Sequence, residues 1–158
     1  MGLFAKTVLG KVLRNTRKID SDKALFKTFE NNQNQAQILD EIFEYQIYEM
    51  GVDGDGVPLG QYRPSTIQRK LTEDAASGYD TRVDHITLKR TGALYASRKV
   101  INNGKDIEIS ADLKKGDTDF NELYPNLMKP GPESKKVIVE LILPEVRDEI
   151  KGQIFTGL

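Results

Sequence analysis

The sequence predicts an α+β fold: a small antiparallel sheet packed against a long helix of the N-terminal half and a C-terminal helix, with long loops. Apolar residues recur at helical spacing in residues 38–50 and again in residues 133–155. Between these patterns, Asn103-Gly104 separates the β-prone runs 96–100 and 107–111. An Asn-Gly pair in that position is a strong signal for a β-hairpin.

The first part of the chain has a basic and helical character. Residues 3–14 place apolar side chains on one helical face and cations on the other. Asp20 or Ser21 is suited to cap a second short helix. We interpret residues 1–30 as a basic helical arm. The polar run in residues 31–35 is expected to weaken any helix that crosses it.

A glycine-rich loop follows the first long helix. Gly51 supplies the stop for that helix, and residues 51–60 hold four glycines and a proline, which predicts a loop. Pro64 then begins a new helix, for which Ser65 or Thr66 is the expected cap.

The second half of the chain alternates between loops and short elements. The polar segment 72–83 is interpreted as a mobile insert. Residues 84–90 alternate in polarity, which predicts a strand that ends at Thr91-Gly92. Residues 119–127 allow a short helical turn. Pro144 is expected to kink or restart the C-terminal helix, because it removes one helical hydrogen bond.

Composition limits the class of protein. The 158 residues carry a net charge of −1, contain no cysteine and show no internal repeat, which predicts one domain, residues 1–158. Thiolate chemistry and disulfides are excluded, and the near-neutral charge argues against a general nucleic-acid binder. No apolar window is long enough for a membrane span, and the first residues lack a secretory signal. We expect a protein made in the cytoplasm, with no membrane partner.

The charges are unevenly distributed along the chain. Residues 1–27 carry seven cations and two anions, whereas residues 30–55 carry seven anions and no cation. The two segments can contact each other between copies of the chain, or contact a partner of opposite sign. They can equally lie side by side within one subunit, which is the simpler interpretation. Both interpretations stay open on the sequence.

The sequence offers no convincing catalytic, cofactor or metal site. Asp53-Gly54-Asp55-Gly56 suggests a calcium loop, but Val57, Pro58 and Pro64 stand where that loop needs an oxygen ligand, a glycine and a glutamate. His85 is the only histidine, which leaves a zinc site short of ligands, and no nucleophile motif accompanies it. We therefore predict no catalytic residue, no cofactor and no metal.

The central region is locally basic. Its cations interleave with Tyr62 and Tyr95, and they are Arg63, Arg69, Lys70, Lys89, Arg90, Arg98 and Lys99. Such a patch can contact nucleic-acid phosphates. It can equally form a rim that pairs with the acidic helix of a neighbouring copy. We favour the second interpretation, because the whole chain is slightly acidic.

Two segments resemble a known family in the order of their motifs. The motifs are Gly51 and Gly54, then Tyr62-Arg63-Pro64-Ser65-Thr66, then Lys70, then Leu88-Lys89-Arg90-Thr91-Gly92-Ala93-Leu94-Tyr95-Ala96-Ser97. Together they resemble the bacteriophage virion-morphogenesis and tail-completion proteins, also called minor tail or head–tail joining proteins. The agreement covers about half of the chain.

The resemblance implies a structural rather than an enzymatic role. It implies a compact α+β subunit that assembles into a ring at the neck or the tail terminus of a virion, after synthesis in the host cytoplasm. The implied partners are other copies of the chain and other phage neck, tail or portal proteins, with DNA contact only incidental. The candidate interface residues are Gly51, Gly54, Tyr62, Arg63, Thr66, Lys70, Thr91, Gly92, Tyr95, Asp40, Glu41 and Glu44.

Two other functions stay open on the sequence. One is a nucleic-acid-binding or regulatory module that uses the basic N-terminal arm, and it predicts binding that weakens steeply with added salt. The other is a small hydrolase that uses carboxylates, which predicts an activity lost on carboxylate-to-amide substitution.

Overall fold

A computed structural model describes residues 7–104 and 106–156 of the chain. It confirms the α+β class: about 53% of the described residues are helical, and they also form two small antiparallel sheets and a long C-terminal helix. The sequence predicted one small sheet, and the structure divides the strands into two separate two-stranded sheets.

Three helices begin the described chain: α1 (Val8–Thr16), α2 (Ser21–Thr28) and α3 (Asn32–Asp40). Asp20 caps α2, as one of the two predicted caps, because its Oδ1 accepts the N–H of Lys23 at 2.8 Å. No single helix crosses the polar run, as expected, because α2 ends at Thr28 and α3 begins at Asn32. Asn31 caps α3 through the N–H of Gln33 at 2.9 Å, so the polar run begins the helix.

The helix continues beyond α3 with wider winding. Residues Glu41–Glu49 are π-helical, and the N–H of Met50 donates to the carbonyl of Tyr45, five residues earlier. Gly51 then ends the helix with φ of +62°, as predicted. A π-helix of this length is rare, and such segments frequently occur at functional sites.

The core lies between this long helix and α7 (Pro132–Phe155). Its fully buried side chains include Ile38, Ile42, Phe43 and Ile47, which follow the apolar pattern read from the sequence. Ile138 and Ile142 of α7 join them.

Helix α7 runs without a break through Pro144, so the predicted restart does not occur. Glu140 and Pro144 are both exposed on this helix. Water can therefore replace the hydrogen bond that proline removes from the Glu140 carbonyl.

The predicted hairpin is confirmed. Strand β1 (Lys99–Asn102) pairs antiparallel with β2 (Ile107–Ser110), and Val100 lies opposite Ile109. The turn is supported by the side chain of Asn102, which accepts the N–H of Gly104 at 3.0 Å. A second small hairpin, β3 (Lys114–Lys115) and β4 (Thr118–Asp119), leads into the short helix α6 (Phe120–Leu123).

Between the long helix and β1, the chain departs from the prediction. Helix α4 (Pro64–Arg69) begins at Pro64 as expected, but its N-cap is Arg63 and not Ser65 or Thr66. It continues into a π-helical turn, Lys70–Asp74. These positions follow from proline at the first helical position, which places the cap one residue earlier.

The strand predicted at residues 84–90 does not form. Leu88 has φ of +56°, a left-handed conformation that a strand cannot accommodate. The segment instead bends, and Tyr95 in α5 (Ala93–Ala96) packs beside it. The polar residues of the alternating pattern include Thr87 and Arg90, which bind buried carboxylates described below.

The described part of the N-terminal arm lies on its own subunit. The side-chain amide of Asn15 donates to the carbonyls of Ile154 and Thr156, at 2.8 and 3.1 Å. The ammonium of Lys27 lies 2.7 Å from a carboxylate oxygen of Glu149. Helices α1 and α2 therefore pack along the end of α7. Of the helices described, none is both long and apolar enough to cross a bilayer.

Candidate assembly interface

The two segments that carry the family resemblance meet at Thr87. The backbone N–H of Thr87 donates to the hydroxyl of Tyr62 at 3.0 Å. The carbonyl of Thr87 accepts the hydroxyl of Tyr95 at 2.6 Å. Thr87 is fully buried, so Tyr62 from one segment and Tyr95 from the other are joined through a single residue between them.

A buried ion pair extends this network. The ammonium of Lys70 lies 2.8 Å from Oδ2 of Asp80, and the two side chains are only 2% and 8% exposed. Asp80 also accepts the hydroxyls of Thr87 at 2.8 Å and Tyr48 at 3.1 Å. Burial raises the pKa of Asp80, but the hydrogen bonds from Lys70 and Thr87 outweigh that effect and lower it below its ordinary value.

Lys70 was predicted to lie at an interface, and the structure corrects that placement. Its ammonium is used inside the subunit, where it also lies 4.8 Å from the centre of the Tyr62 ring. A buried ammonium needs such partners, because an unpaired charge in the interior is costly.

The segment 72–83, expected to be a mobile insert, supplies two of the buried carboxylates. Besides Asp80, it contains Asp74, whose carboxylate is fully buried and accepts the Nε of Arg90 at 2.9 and 3.0 Å. The hydrogen bond from Arg90 is the main cause that lowers the pKa of Asp74. Asp74 therefore joins the segment to Arg90 by a charge pair, and Asp80 joins it to Lys70 by a charge pair and to Thr87 by a hydrogen bond.

The acidic helix pairs with cations of its own subunit. Arg98 lies 2.7 Å from Asp40 and 3.3 Å from Glu44, and Lys89 lies 2.6 Å from Glu44. The interpretation favoured from the sequence, in which these cations meet a neighbour's acidic helix, is wrong for Asp40 and Glu44. Glu41 differs: its Oε1 is buried without a hydrogen-bond partner, and no ion pair of Glu41 occurs among residues 7–104 and 106–156.

Tyr95 is likewise an internal residue. Its side chain is buried, and its ring meets that of Phe43 edge-on with centroids 5.3 Å apart. The ammonium of Lys89 lies 4.9 Å from the Tyr95 ring centre. Burial raises the pKa of the Tyr95 hydroxyl above its ordinary value. The predicted interface role of Tyr95 is therefore corrected to a packing role.

Gly51 and Gly54 serve close packing rather than a projecting loop. A Cβ at Gly51 would overlap the His85 imidazole, and a Cβ at Gly54 would overlap the carbonyl of Lys129. Both glycines are buried. Gly92 differs, because it has φ of +77° beside open space and caps α5.

His85 has a structural environment. Its Nε2 lies 2.8 Å from the carbonyl of Tyr48, and its Nδ1 lies 3.2 Å from Oδ2 of Asp84. The contact with Tyr48 connects the chain segment around His85, which follows Asp80, to the end of the long helix beside Gly51.

The suspected calcium loop forms a turn stabilised by its own side chain. Oδ1 of Asp53 accepts the N–H groups of Asp55 and Val57, both at 2.9 Å, which is the geometry of an Asx turn. Across the described residues, no group of three or more acidic or histidine side chains could hold a metal ion.

The remaining interface candidates line a groove of about 680 Å³, which we call the basic groove. Its lining includes Tyr62, Arg63, Thr66 and Thr91 from the predicted set, apolar side chains of Ile86, Leu88, Leu94 and Phe120, and the further cations Arg69, Arg90, Lys114 and Lys115. Arg69 and Arg90 face Asp74. Arg63 and Lys115 are exposed, and neither forms an ion pair within the described ranges.

Sequence reasoning missed the hairpin β3–β4, whereas the short helical turn expected in residues 119–127 forms as α6. Neither element was expected to line a groove. Strands of two residues leave no periodic signal. A signal that could have found them is Lys114-Lys115-Gly116-Asp117, a basic pair followed by turn residues.

No family model, no curated protein and no solved structure matches this chain.

Proposed function

We propose that this chain is a structural protein of a bacteriophage virion, of the tail-completion, tail-terminator or head–tail joining type, that acts by assembling into a ring. The observation that carries the proposal is the convergence of the two resemblance segments on one surface. Residues of both segments line the same basic groove, although a polar segment separates them in the sequence: Tyr62, Arg63 and Thr66 from the first, and Leu88, Arg90, Thr91, Ala93 and Leu94 from the second. The motif order thus corresponds to one continuous surface.

The polar network beneath the groove suits a structural subunit. Lys70, Asp74 and Thr87 are buried, and the side chain of Asp80 is only 8% exposed. Each of the four binds another member of the set or a neighbour. Satisfied buried networks favour a single rigid arrangement. A rigid support under the groove presents the same surface to each neighbour, as a closed ring requires. We propose no enzymatic activity.

Exposed apolar side chains supply further contact area for assembly. Leu9 and Leu13 of α1, and Val139 and Leu143 of α7, are each about half exposed. Apolar side chains that recur on neighbouring helices are typical of surfaces covered by another protein. We propose that copies of this chain, and other neck, tail or portal proteins, cover them in the virion, after assembly in the host cytoplasm.

The test is the size and shape of the purified protein. Mass photometry at increasing micromolar concentration should show one oligomer above the monomer, and negative-stain microscopy should show rings. A protein that stays monomeric over that range, with a folded far-UV spectrum, contradicts the proposal.

Nucleic-acid binding is the alternative function, and one feature favours it. Arg63, Lys114 and Lys115 stand beside the aromatic rings of Tyr62 and Phe120 in the basic groove, a combination that suits single strands. The sequence pointed instead to the N-terminal arm, where Lys27 is paired with Glu149. Binding of a labelled oligonucleotide that weakens steeply with salt would support this alternative.

A further inference from the structure

An exposed tyrosine stands on the outer face of the π-helical segment. Tyr45 is 45% exposed, whereas its neighbours Phe43 and Ile47 are fully buried. Glu41 and Glu49 lie four residues before and after it, on the same face of the helix. The result is an aromatic side chain flanked by carboxylates, which we call the Tyr45 face.

The basic groove has the complementary character. Apolar side chains line it together with cations, and two of those cations, Arg63 and Lys115, lack ion-pair partners among the described residues. On the Tyr45 face, Glu49 is paired with Arg82 at 2.9 Å. Glu41 has no ion pair among the described residues, and one of its two carboxylate oxygens, Oε1, is buried. The groove therefore offers two unpaired cations beside apolar side chains, and the Tyr45 face offers one unpaired carboxylate beside an aromatic ring.

We infer that the Tyr45 face of one copy binds in the basic groove of the next copy, with the Tyr45 ring against the apolar side chains of the groove and Glu41 beside Arg63 and Lys115. This inference rests on the proposed function, because it names the contact between ring subunits. Tyrosine and arginine are enriched among residues that dominate binding energy. A groove of about 680 Å³ lies in the range that binds compact groups in proteins.

The contact has a direction. The residues of the Tyr45 face and those of the basic groove form two separate sets with no member in common. When two copies bind in this way, the pair still has one unoccupied Tyr45 face and one unoccupied basic groove. The contact can therefore repeat around a rotation axis until the ring closes.

The chain contains no tryptophan, which allows a direct optical test. Tyr45→Trp introduces a single indole at the centre of the proposed contact. Its emission should shift to shorter wavelength as the protein concentration rises and the ring forms. The matched control is Tyr79→Trp, because Tyr79 is 42% exposed and lies outside both surfaces. Its emission should stay constant over the same range.

Charge reversal tests the pairing. Arg63→Glu and Glu41→Lys should each raise the apparent dissociation constant of assembly about tenfold or more. The double variant, which exchanges the two charges, should recover most of the native affinity. The control Lys135→Glu reverses an exposed cation of α7 outside the groove and should assemble like the native protein. Circular dichroism checks that each variant is folded.

The outcomes separate the inference from the proposed function. Native rings that tolerate both single reversals, or an indole at position 45 whose emission does not change, overturn the inference and leave the ring standing. A native protein that never assembles overturns both. If Arg63→Glu instead abolishes binding of a single-stranded oligonucleotide while the rings are unaffected, the groove is a nucleic-acid site and the inference is wrong.

Discussion

The carboxylate of Asp80 and the ammonium of Lys70 lie 2.8 Å apart, and each side chain is less than one tenth exposed. Ten residues separate them in the chain. The pair lies between the π-helical turn that follows α4 and the bend around Thr87, so it joins the two segments that line the basic groove.

Removal of one partner should destabilise the fold strongly. Lys70→Met leaves Asp80 buried without its cation, and a loss of about 3–5 kcal/mol in the free energy of unfolding is expected. Urea titration followed by circular dichroism measures it. In the double variant Lys70→Met/Asp80→Asn the uncompensated charge is gone, and part of the stability should return. A single variant that loses less than about 1 kcal/mol would contradict the structural role of the pair.

Stability should fall on acidification. The pKa values of Asp74 and Asp80 are lowered in the folded protein, so the unfolded chain takes up protons first as the pH falls. Their contribution is present above the ordinary aspartate pKa and is lost as the pH drops through the lower folded values. The free energy of unfolding, measured by urea titration from neutral pH to about pH 2, should show this loss. Asp74→Asn should reduce the slope, and an unchanged slope would count against this account.

A methyl group at Gly51 should be costly for two reasons. Its φ is +62°, and the added Cβ would overlap the His85 ring. Gly51→Ala should lower the free energy of unfolding by about 2 kcal/mol or more. Gly56→Ala is the matched control, because φ is +76° there and the surrounding space is open. It should cost about 1 kcal/mol, the backbone term alone. Thermal unfolding of both variants gives the two losses in stability. Equal losses would show that the His85 ring moves aside at no measurable cost.

Two neighbouring glutamates should respond differently to the loss of charge. Glu44 binds Lys89 and Arg98 within the subunit, so Glu44→Gln should destabilise the monomer by about 1 kcal/mol. Glu41 has no such partner, and its buried Oε1 accepts no hydrogen bond, so Glu41→Gln should either raise the free energy of unfolding or lower it by less than about 0.5 kcal/mol. Urea titration under monomeric conditions gives both numbers. A larger loss for Glu41 than for Glu44 would contradict the assignment of Glu44 as the carboxylate that is paired within the chain.

The elements that could be predicted are those with local signals. The cap at Asp20, the helix start at Pro64, the stop at Gly51 and the Asn-Gly hairpin depend on backbone chemistry within a few residues. The core face of residues 38–47 follows from apolar spacing alone.

The rest depends on contacts between distant residues. The absence of a strand at residues 84–90 follows from Leu88, whose left-handed backbone accompanies the hydrogen bonds made by Thr87 to Tyr62 and Tyr95. Asp74 finds Arg90 sixteen residues later. A polar segment such as 72–83 reads as a loop when its charges are assumed to face water. The same assumption placed Lys70 at the surface.

The shared attachment at Thr87 has an evolutionary consequence. The Tyr62 hydroxyl accepts the Thr87 N–H, the Thr87 carbonyl accepts the Tyr95 hydroxyl, and the Thr87 hydroxyl reaches Asp80. A mutation at any one of these positions leaves a buried polar group without its partner, so lineages should retain the four residues together or replace them together. Among descendants of this chain, substitutions at these four positions should therefore occur together. Substitutions at Arg63 and Lys115 should instead accompany changes in the surface that these two side chains bind.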